Sequence, residues 1–306
     1  MANKFAKFLK KPGLLFVSLG HMGYLNFIPD EEYVKKVYKI KLGKTPDLDN
    51  PKTLNEKLQW LKLYDHNPIY TTLADKYAVR DYLAERIGEE HLVPLVGGPW
   101  KSFDEIDFAA LPEKFVLKCT HDSGGVVICT DKAKLDKAKV RKKIEKCLKH
   151  NFYPSFREWP YKNIEPQIIA EQYMVDESGV ELKDYKIFCM NGKAIYVEVD
   201  FNRAVRHKLN AYTLDWKMLD FCDASPNDRD ADIKCPERLD EMIETAELLA
   251  ADFTFMRVDF YSIYTKYYVG ELTLYPGSGF IAFNPPEADA ELGKKLTLPR
   301  KEDLKQ

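Results

Sequence analysis

Phe115-Val116-Leu117-Lys118-Cys119, Thr120-His121-Asp122-Ser123-Gly124-Gly125 and Val126-Val127-Ile128-Cys129 follow one another without a break. Two β-rich runs flanking a loop that ends in paired glycines read as a hairpin. Lys118 projects from the first strand just before that loop, whose glycines let backbone N–H groups come close to an anion. A lone lysine there also suits an edge strand guarded against pairing with other chains. His121 and Asp122 are either reactive groups or an exposed histidine beside a turn-forming aspartate.

Working outward, a basic helix is expected over Lys132–Lys149, with Val140, Ile144 and Leu148 on one face. Its lysines read as a solvated face rather than a nucleic-acid site. Ile168–Met174 is a strand. Asp184–Val199 forms two strands about Asn191-Gly192, a dipeptide suited to a type I′ turn. A helix over Glu237–Ala251 leads into strands at Met256–Tyr261 and Tyr267–Leu274. Upstream, Asp30-Glu31-Glu32 opens a helix, Gly43–Lys52 is a loop, and Thr53 with Glu56 makes an N-terminal cap. Ile69–Ile87 carries Leu73, Tyr77, Val79 and Leu83 at helical spacing. Hairpins with helices between them argue for an α+β fold and against a doubly wound parallel sheet.

The chain has 306 residues, 45% of them hydrophobic and 13% aromatic, enough for a large core in one domain or a few intimate ones. Its 46 Lys and Arg against 48 Asp and Glu leave a formal charge of -2. No global field draws it to nucleic acid, and any phosphate recognition must be local. Six cysteines, never spaced C-x-x-C, suit reduced thiols in the cytoplasm and not a zinc site. Gly13–Ile28 is apolar and follows Lys4, Lys7, Lys10 and Lys11, but Gly20, His21, Gly23 and Asn26 interrupt it. That excludes a membrane span and a convincing leader, and leaves a membrane-surface contact open.

Chemistry concentrates in Arg257-Val258-Asp259-Phe260-Tyr261 and Val269-Gly270-Glu271-Leu272-Thr273. On neighbouring antiparallel strands, Asp259 and Glu271 would face each other, and a divalent cation between them would resolve their repulsion. The bland alternative is an Arg257–Asp259 ion pair, since side chains two apart on a strand share a face. Arg203, Arg206, His207 and Asn210 either bind an acidic substrate or form a solvated loop. There is no G-x-x-x-x-G-K-[ST] run and no protein-kinase signature set.

Asp75-Lys76-Tyr77, the Lys118 strand with Ser123-Gly124-Gly125, Ile169-Ala170-Glu171-Gln172-Tyr173-Met174, Asp184-Tyr185-Lys186, Arg257-Val258-Asp259 and Gly270-Glu271-Leu272-Thr273 fall in the order used by ATP-grasp enzymes. More narrowly, Leu54-Asn55-Glu56-Lys57-Leu58-Gln59-Trp60-Leu61-Lys62 and Asp65-His66-Asn67-Pro68 resemble the TupA-like branch, found with capsule and teichuronopeptide biosynthesis. The resemblance covers roughly 50–298. It implies two antiparallel-sheet lobes clamping ATP behind an N-terminal helical region. The expected divisions are 1–66 (helical), 67–111 (helical or linker), 112–174 (small lobe) and 175–306 (large lobe with the metal site).

By the same resemblance, Lys76 and Lys118 hold the α- and β-phosphates, and Ser123, Gly124 and Gly125 close over them. Glu171, Gln172, Tyr173 and Met174 form the hinge that meets adenine, while Asp184 and Lys186 touch ribose or the γ-phosphate. Asp259 and Glu271 would ligate Mg²⁺, and Arg257 would steady charge on the reacting oxygens. Where many such ligases carry Asn as a further ligand, this chain has Thr273. The implied reaction is ligation of a carboxylate (a uronic acid or acidic peptide) to an amine through an acyl phosphate. A kinase acting on a sugar hydroxyl of a glycan, or a nucleotide-binding scaffold without turnover, would use the same scaffold.

Overall fold

A computed structural model describes residues 12–304 apart from 204, 224 and 225. Lys4, Lys7, Lys10 and Lys11 therefore lie outside the described residues. Helix α1 (Pro12–His21) and the turn after it leave Leu15, Met22, Tyr24 and Phe27 exposed. Phe16, Val17, Leu25 and Ile28 instead pack on a small cluster of Tyr33, Val37, Tyr38 and Phe280. No helix among the described residues is long and apolar enough to cross a membrane.

Helix α2 (Asp30–Leu42) begins with three acids, which complement the partial positive charge of a helix N-terminus. It stops at Gly43 in the left-handed region (φ 77°). The anticipated cap of α3 (Leu54–Tyr64) is a full capping box: Thr53 Oγ1 accepts the Glu56 N–H, and Glu56 Oε2 accepts the Thr53 N–H at 3.1 Å.

The expected single helix over Ile69–Ile87 is two, α4 (Ile69–Ala74) and α5 (Val79–Ile87). Apolar periodicity runs through the break, but Asp75 competes for the backbone, its Oδ1 accepting the Tyr77 N–H at 2.8 Å. The freed Lys76 N–H bonds to the Thr120 carbonyl at 3.1 Å. The break thus staples the helical region to the hairpin loop.

Strands β1 (Leu95–Trp100), β2 (Phe115–Cys119), β3 (Val126–Cys129) and β4 (Ile168–Gln172) form an antiparallel sheet in the order β1-β4-β2-β3. Sequence reading missed β1, whose Gly97, Gly98 and Pro99 look like a turn. Its pairing with β4 places residues 95–100 of the 67–111 segment inside this sheet. Helix α6 (Lys137–Leu148) is shorter than expected because Asp136 caps it. It covers one face of the sheet with Val140, Ile144 and Cys147.

The second sheet, also antiparallel, comprises β5 (Asp184–Met190), β6 (Lys193–Phe201), β7 (Lys208–Tyr212), β9 (Phe255–Ile263) and β10 (Lys266–Thr273), in the order β10-β9-β5-β6-β7. Helix α7 (Tyr153–Phe156) lies between α6 and β4 in the chain, and the short strand β8 (Cys222–Asp223) between β7 and β9. Helix α8 (Leu239–Ala250) packs Met242, Ala246 and Leu249 into the main core around this sheet. A short strand β11 (Phe283–Asn284) pairs with β8, and α9 (Ala288–Lys295) follows.

Helix α9 meets the start of α3 with almost no clearance. A Cβ on Gly293 would lie 2.1 Å from the Lys52 carbonyl oxygen and 2.8 Å from Thr53 backbone atoms. Gly293→Ala must therefore push these backbones apart at the capping box. It is expected to cost roughly 1–3 kcal/mol, read as a lower urea midpoint at unchanged slope. An unshifted midpoint would contradict this close contact.

Candidate active site

Two β-bulges build the charged face of the five-stranded sheet. Along β9–β10 the pairing runs from Lys266 opposite Ile263 to Val269 opposite Phe260, then slips at Gly270 so that Glu271 stands opposite Asp259. Gly270 suits the slip because a Cβ there would lie 2.9 Å from the Tyr261 ring. In β5–β6 the ladder begins with Met190 opposite Lys193, slips between Phe188 and Cys189, and then sets Lys186 opposite Glu198 and Asp184 opposite Asp200. Lys186 also stands opposite Asp259. One face therefore carries Asp184, Lys186, Glu198, Asp200, Asp259 and Glu271.

Cations are interleaved with these acids. Arg257 grips Asp259 with two hydrogen bonds, Nε to Oδ1 at 2.6 Å and Nη2 to Oδ2 at 2.5 Å, and donates to Thr273 Oγ1 at 3.0 Å. Lys186 Nζ joins Asp184 Oδ2 at 2.7 Å and Asp200 Oδ2 at 2.5 Å. Arg203 reaches both of those aspartates from the rim, and His207 Nε2 stands 3.4 Å from Asp200. The ion pair considered as an alternative for Arg257 thus exists, and so does the facing of Asp259 and Glu271.

Lys76 spans the two sheets, donating from Nζ to the Asp122 carbonyl at 2.9 Å and to Glu271 Oε1 at 3.3 Å. On the four-stranded sheet, half-buried Lys118 pairs through Nζ with Oε2 of buried Glu171 at 2.5 Å. Burial penalises the charged form of Glu271, but Lys76, Arg257 and Lys118 more than offset this and hold it below the usual carboxylate range. Burial pushes Asp259 up to about 6 against the pull of Arg257, and Glu198 up to about 8. Lys186 stays above its ordinary value, because Asp184, Asp259 and Asp200 outweigh its burial.

Several expected site residues have other tasks. Asn210 is a correction: it pairs with Val199, on the face opposite Asp184 and Lys186, and it is fully buried. Its amide bonds to the Asp228 carbonyl at 3.0 Å and accepts the Asp228 N–H, which pins a loop and leaves nothing for substrate. Arg206 is exposed and joins no ion pair among the described residues, unlike Arg203 and His207. Gly125 is demanded by packing, since a Cβ would lie 2.3 Å from Cys147 Sγ, whereas Gly124 is open. His121, expected to be exposed, is buried and bonded to the Cys147 carbonyl, and burial lowers its pKa. Asp122 Oδ1 accepts the Ser123 N–H at 2.6 Å.

At the hinge, the Gln172 N–H is committed to the Pro94 carbonyl at 2.9 Å, while the Met174 N–H donates to no protein acceptor among the described residues. Tyr173 and Met174 are half-buried and Gln172 is exposed.

Sequence reading missed Glu198 and Asp200, and it assigned no task to the α3 signature. That helix presents Asn55, Gln59 and Lys62 to the loop after β10. Asn55 bonds both polar groups of the Ile281 backbone, Gln59 Nε2 donates to the Ser278 and Gly279 carbonyls, and Lys62 Nζ donates to the Ser278 carbonyl at 2.9 Å. Glu158 receives the Ser278 hydroxyl at 2.5 Å, and burial drives Glu158 up to about 7 and Lys62 down to about 7.

The donor set suits Mg²⁺ held jointly with phosphate. A carboxylate offers about four lone-pair sites. Asp259 gives two to Arg257 and Glu271 gives one to Lys76, so both keep oxygen donors. Among the described residues no three His, Cys, Asp or Glu side chains form a metal cluster. Two carboxylates plus substrate phosphates is the usual way Mg²⁺ is bound. Asp184 Oδ1 and Asp200 Oδ1 are buried acceptors without partners, which hydroxyl groups would satisfy.

Two antiparallel sheets meeting across interleaved cations and facing carboxylates are the build of an ATP-grasp protein. Residues 56–297, more than half of the chain, match the family described as TupA-like ATP-grasp, and the chain belongs to that family. Among solved structures, D-alanine–D-alanine ligase from Helicobacter pylori is similar at 15% identity, over 80% of this chain and 69% of that one, with a TM-score of 0.41. The Bacillus anthracis enzyme of the same name aligns at 17% identity over 78% and 69%, TM-score 0.40. The biotin carboxylase domain of Hydrogenobacter thermophilus 2-oxoglutarate carboxylase, solved with MgADP, ADP and bicarbonate, aligns at 13% over 82% and 54%, TM-score 0.45. No curated protein matches the chain.

Only ionised Asp259 can serve a cation. Turnover is therefore expected to fall on the acid side with a limb near pH 6, where burial has moved this carboxyl. Its stability contribution runs the other way: a raised carboxyl binds its proton more tightly when folded, so it favours the fold at low pH and that gain is lost as pH rises through about 6. Asp259→Asn and Glu271→Gln are each expected to cut turnover at least about 100-fold with the far-ultraviolet spectrum unchanged. Wild-type turnover in either variant would refute the metal assignment.

Proposed function

We propose that this chain binds Mg-ATP between its two sheets and uses the γ-phosphate to activate a carboxylate for capture by an amine, in the cytoplasm, during surface-polysaccharide assembly. The observation that carries this reading is Glu271 opposite Asp259, with Lys76, Lys118, Arg257 and Lys186 gathered around them. In this reading the small lobe is 112–174 together with β1, and the large lobe is 175–306.

The chemistry balances without a redox partner. A carboxylate oxygen of the acceptor attacks the γ-phosphorus, the bond to the bridging oxygen breaks, and ADP leaves. The amine nitrogen then attacks the acyl carbon, phosphate departs, and the nitrogen gives up a proton. Mg²⁺ held by Asp259 and Glu271 would neutralise phosphate charge. Lys76, joined to the Asp122 carbonyl, would hold a phosphate and the glycine loop together. Lys118 would serve the same phosphates from β2, its charge otherwise resting on Glu171. Arg257, fixed on two sides by Asp259 and Thr273, would offer a preorganised cation to charge building on the reacting oxygens. Asp184 and Asp200 would accept the ribose hydroxyls through their unpartnered oxygens. The hinge at 171–174 would meet adenine through the Met174 N–H. The pathway context implied by the family resemblance supports a uronic acid or an acidic peptide on a glycan as the acceptor.

Pure protein with Mg-ATP and a panel of uronic acids, amino acids and amino sugars, scored by mass spectrometry, tests the reaction. A product equal to acceptor plus amine less one water, with ADP released, is expected. A product heavier by one phosphate would mark a kinase, and no ADP with any acceptor would mark a scaffold without turnover.

A further inference from the structure

A pocket of about 420 Å³ opens between α1, α6 and the loop at 122–125, lined by His21, Asp122, Gly124, Lys143, Lys146 and His150. We propose that this pocket is an anion site, holding a phosphate or carboxylate of the second substrate against the 122–125 loop. The inference rests on the nucleotide-cleft reading above and adds the place where the second substrate is held.

Four cationic or protonatable groups converge here from two elements far apart in the chain. The His21 and His150 rings lie 4.5 Å apart, and His150 Nε2 stands 3.2 Å from the His21 carbonyl. Ser155 fixes the His21 ring through a 2.7 Å contact to Nδ1. On the same helix as Lys146, Lys139 and Arg141 pair with carboxylates, while Lys146 has no such partner among the described residues. Lys143 Nζ donates to the Val126 carbonyl at 2.6 Å.

The one carboxylate lining the pocket is Asp122, and it is already engaged. Its Oδ1 accepts the Ser123 N–H and its Oδ2 the Cys147 thiol at 2.9 Å. The pocket therefore holds an excess of positive charge. Burial lowers the His21 pKa, and His150 and Lys146 add to this with only Asp122 opposing them, so a bound anion would raise it again. The volume is that of a small-molecule site and suits a monosaccharide.

The position ties the pocket to the reaction. Asp122 forms its wall, and the Asp122 carbonyl is held by the same Lys76 ammonium that contacts Glu271. A ligand anchored here abuts the loop that closes on phosphate. His21 lies outside 56–297, so the N-terminal helix gives this chain a feature that the family match does not cover.

Inorganic phosphate and glucuronate, titrated calorimetrically into full-length protein presaturated with Mg²⁺ and a non-hydrolysable ATP analogue, test the proposal with the cleft filled. At least one anion is expected to bind. The doubly substituted Lys143→Gln, Lys146→Gln protein should bind it about tenfold more weakly, having lost two charge-assisted contacts, with analogue affinity unchanged. Both lysines are exposed, so the variant keeps its fold. Phosphate alone binding assigns a phosphate ester, and glucuronate alone a carboxylate. No binding by the wild type, or equal binding by the variant, overturns the site. Failure of the analogue to bind would instead overturn the nucleotide reading, and titration of the nucleotide-free protein then decides the pocket.

Discussion

The five-stranded sheet can hold its acids on one face because cations are set among them: Arg257 beside Asp259 on the same strand, Lys186 between Asp184 and Asp200, and Lys76 reaching Glu271 from the helical region. Moving an ion into the interior costs several kcal/mol even after relaxation, and Coulomb attraction recovers this only where geometry is good and the remaining polar sites are satisfied. Asp259 meets both conditions through the two-pronged Arg257, and Asp184 and Asp200 share Lys186 and Arg203. Glu198 stands opposite Lys186 without bonding to it, and burial accordingly drives it toward the neutral form. Apolar residues would stabilise such a face more cheaply. A face built at this cost is what the binding of Mg-ATP proposed above would require.

The lattice depends on two slips in strand register. With period-two strands, a shift of one residue moves every later side chain to the other face. Counted from the Asn191-Gly192 turn without a bulge, Lys186 would face Val197, and Glu198 and Asp200 would turn away. Without the slip at Gly270, Asp259 would face Gly270 and not Glu271. Nothing in the polar and apolar alternation announces a bulge, which is why Glu198 and Asp200 were not legible. Asp259 and Glu271 were legible as a pair because each is the one carboxylate in its strand and stands out whatever the register.

Local signals were read well where a side chain acts on its own backbone. Thr53 with Glu56, Gly43 and the Phe115–Cys129 hairpin all need only neighbours in sequence. Reading failed where a distant partner decides the outcome. Asn210 looked like a substrate ligand because the loop it pins, at Asp228, is far along the chain. Gly125, expected as a phosphate-loop glycine, is also required by packing that sequence does not show, because Cys147 on α6 occupies the space a side chain would need. The helix over 69–87 breaks at Asp75 because one carboxylate outbids apolar periodicity, and the break delivers Lys76 to the cleft.

That delivery shows how the helical N-terminal half enters the site. Lys76 joins the glycine loop to Glu271 from one side, and α3 grips the loop after Thr273 from another. Residues 277, 278 and 279 all have positive φ, and Ser278 is no glycine, so this loop is costly to hold. Asn55, Gln59 and Lys62, spaced to share one face of α3, bond its carbonyls, and Glu158 takes the Ser278 hydroxyl. Lys62 bonds the Ser278 carbonyl and Glu158 its hydroxyl, and burial pushes both side chains toward their neutral forms. The polar stripe that distinguishes this helix in sequence is thus a clamp on a strained turn two residues beyond the strand that carries Glu271 and Thr273. Such a clamp preorganises the floor of the cleft before any ligand arrives.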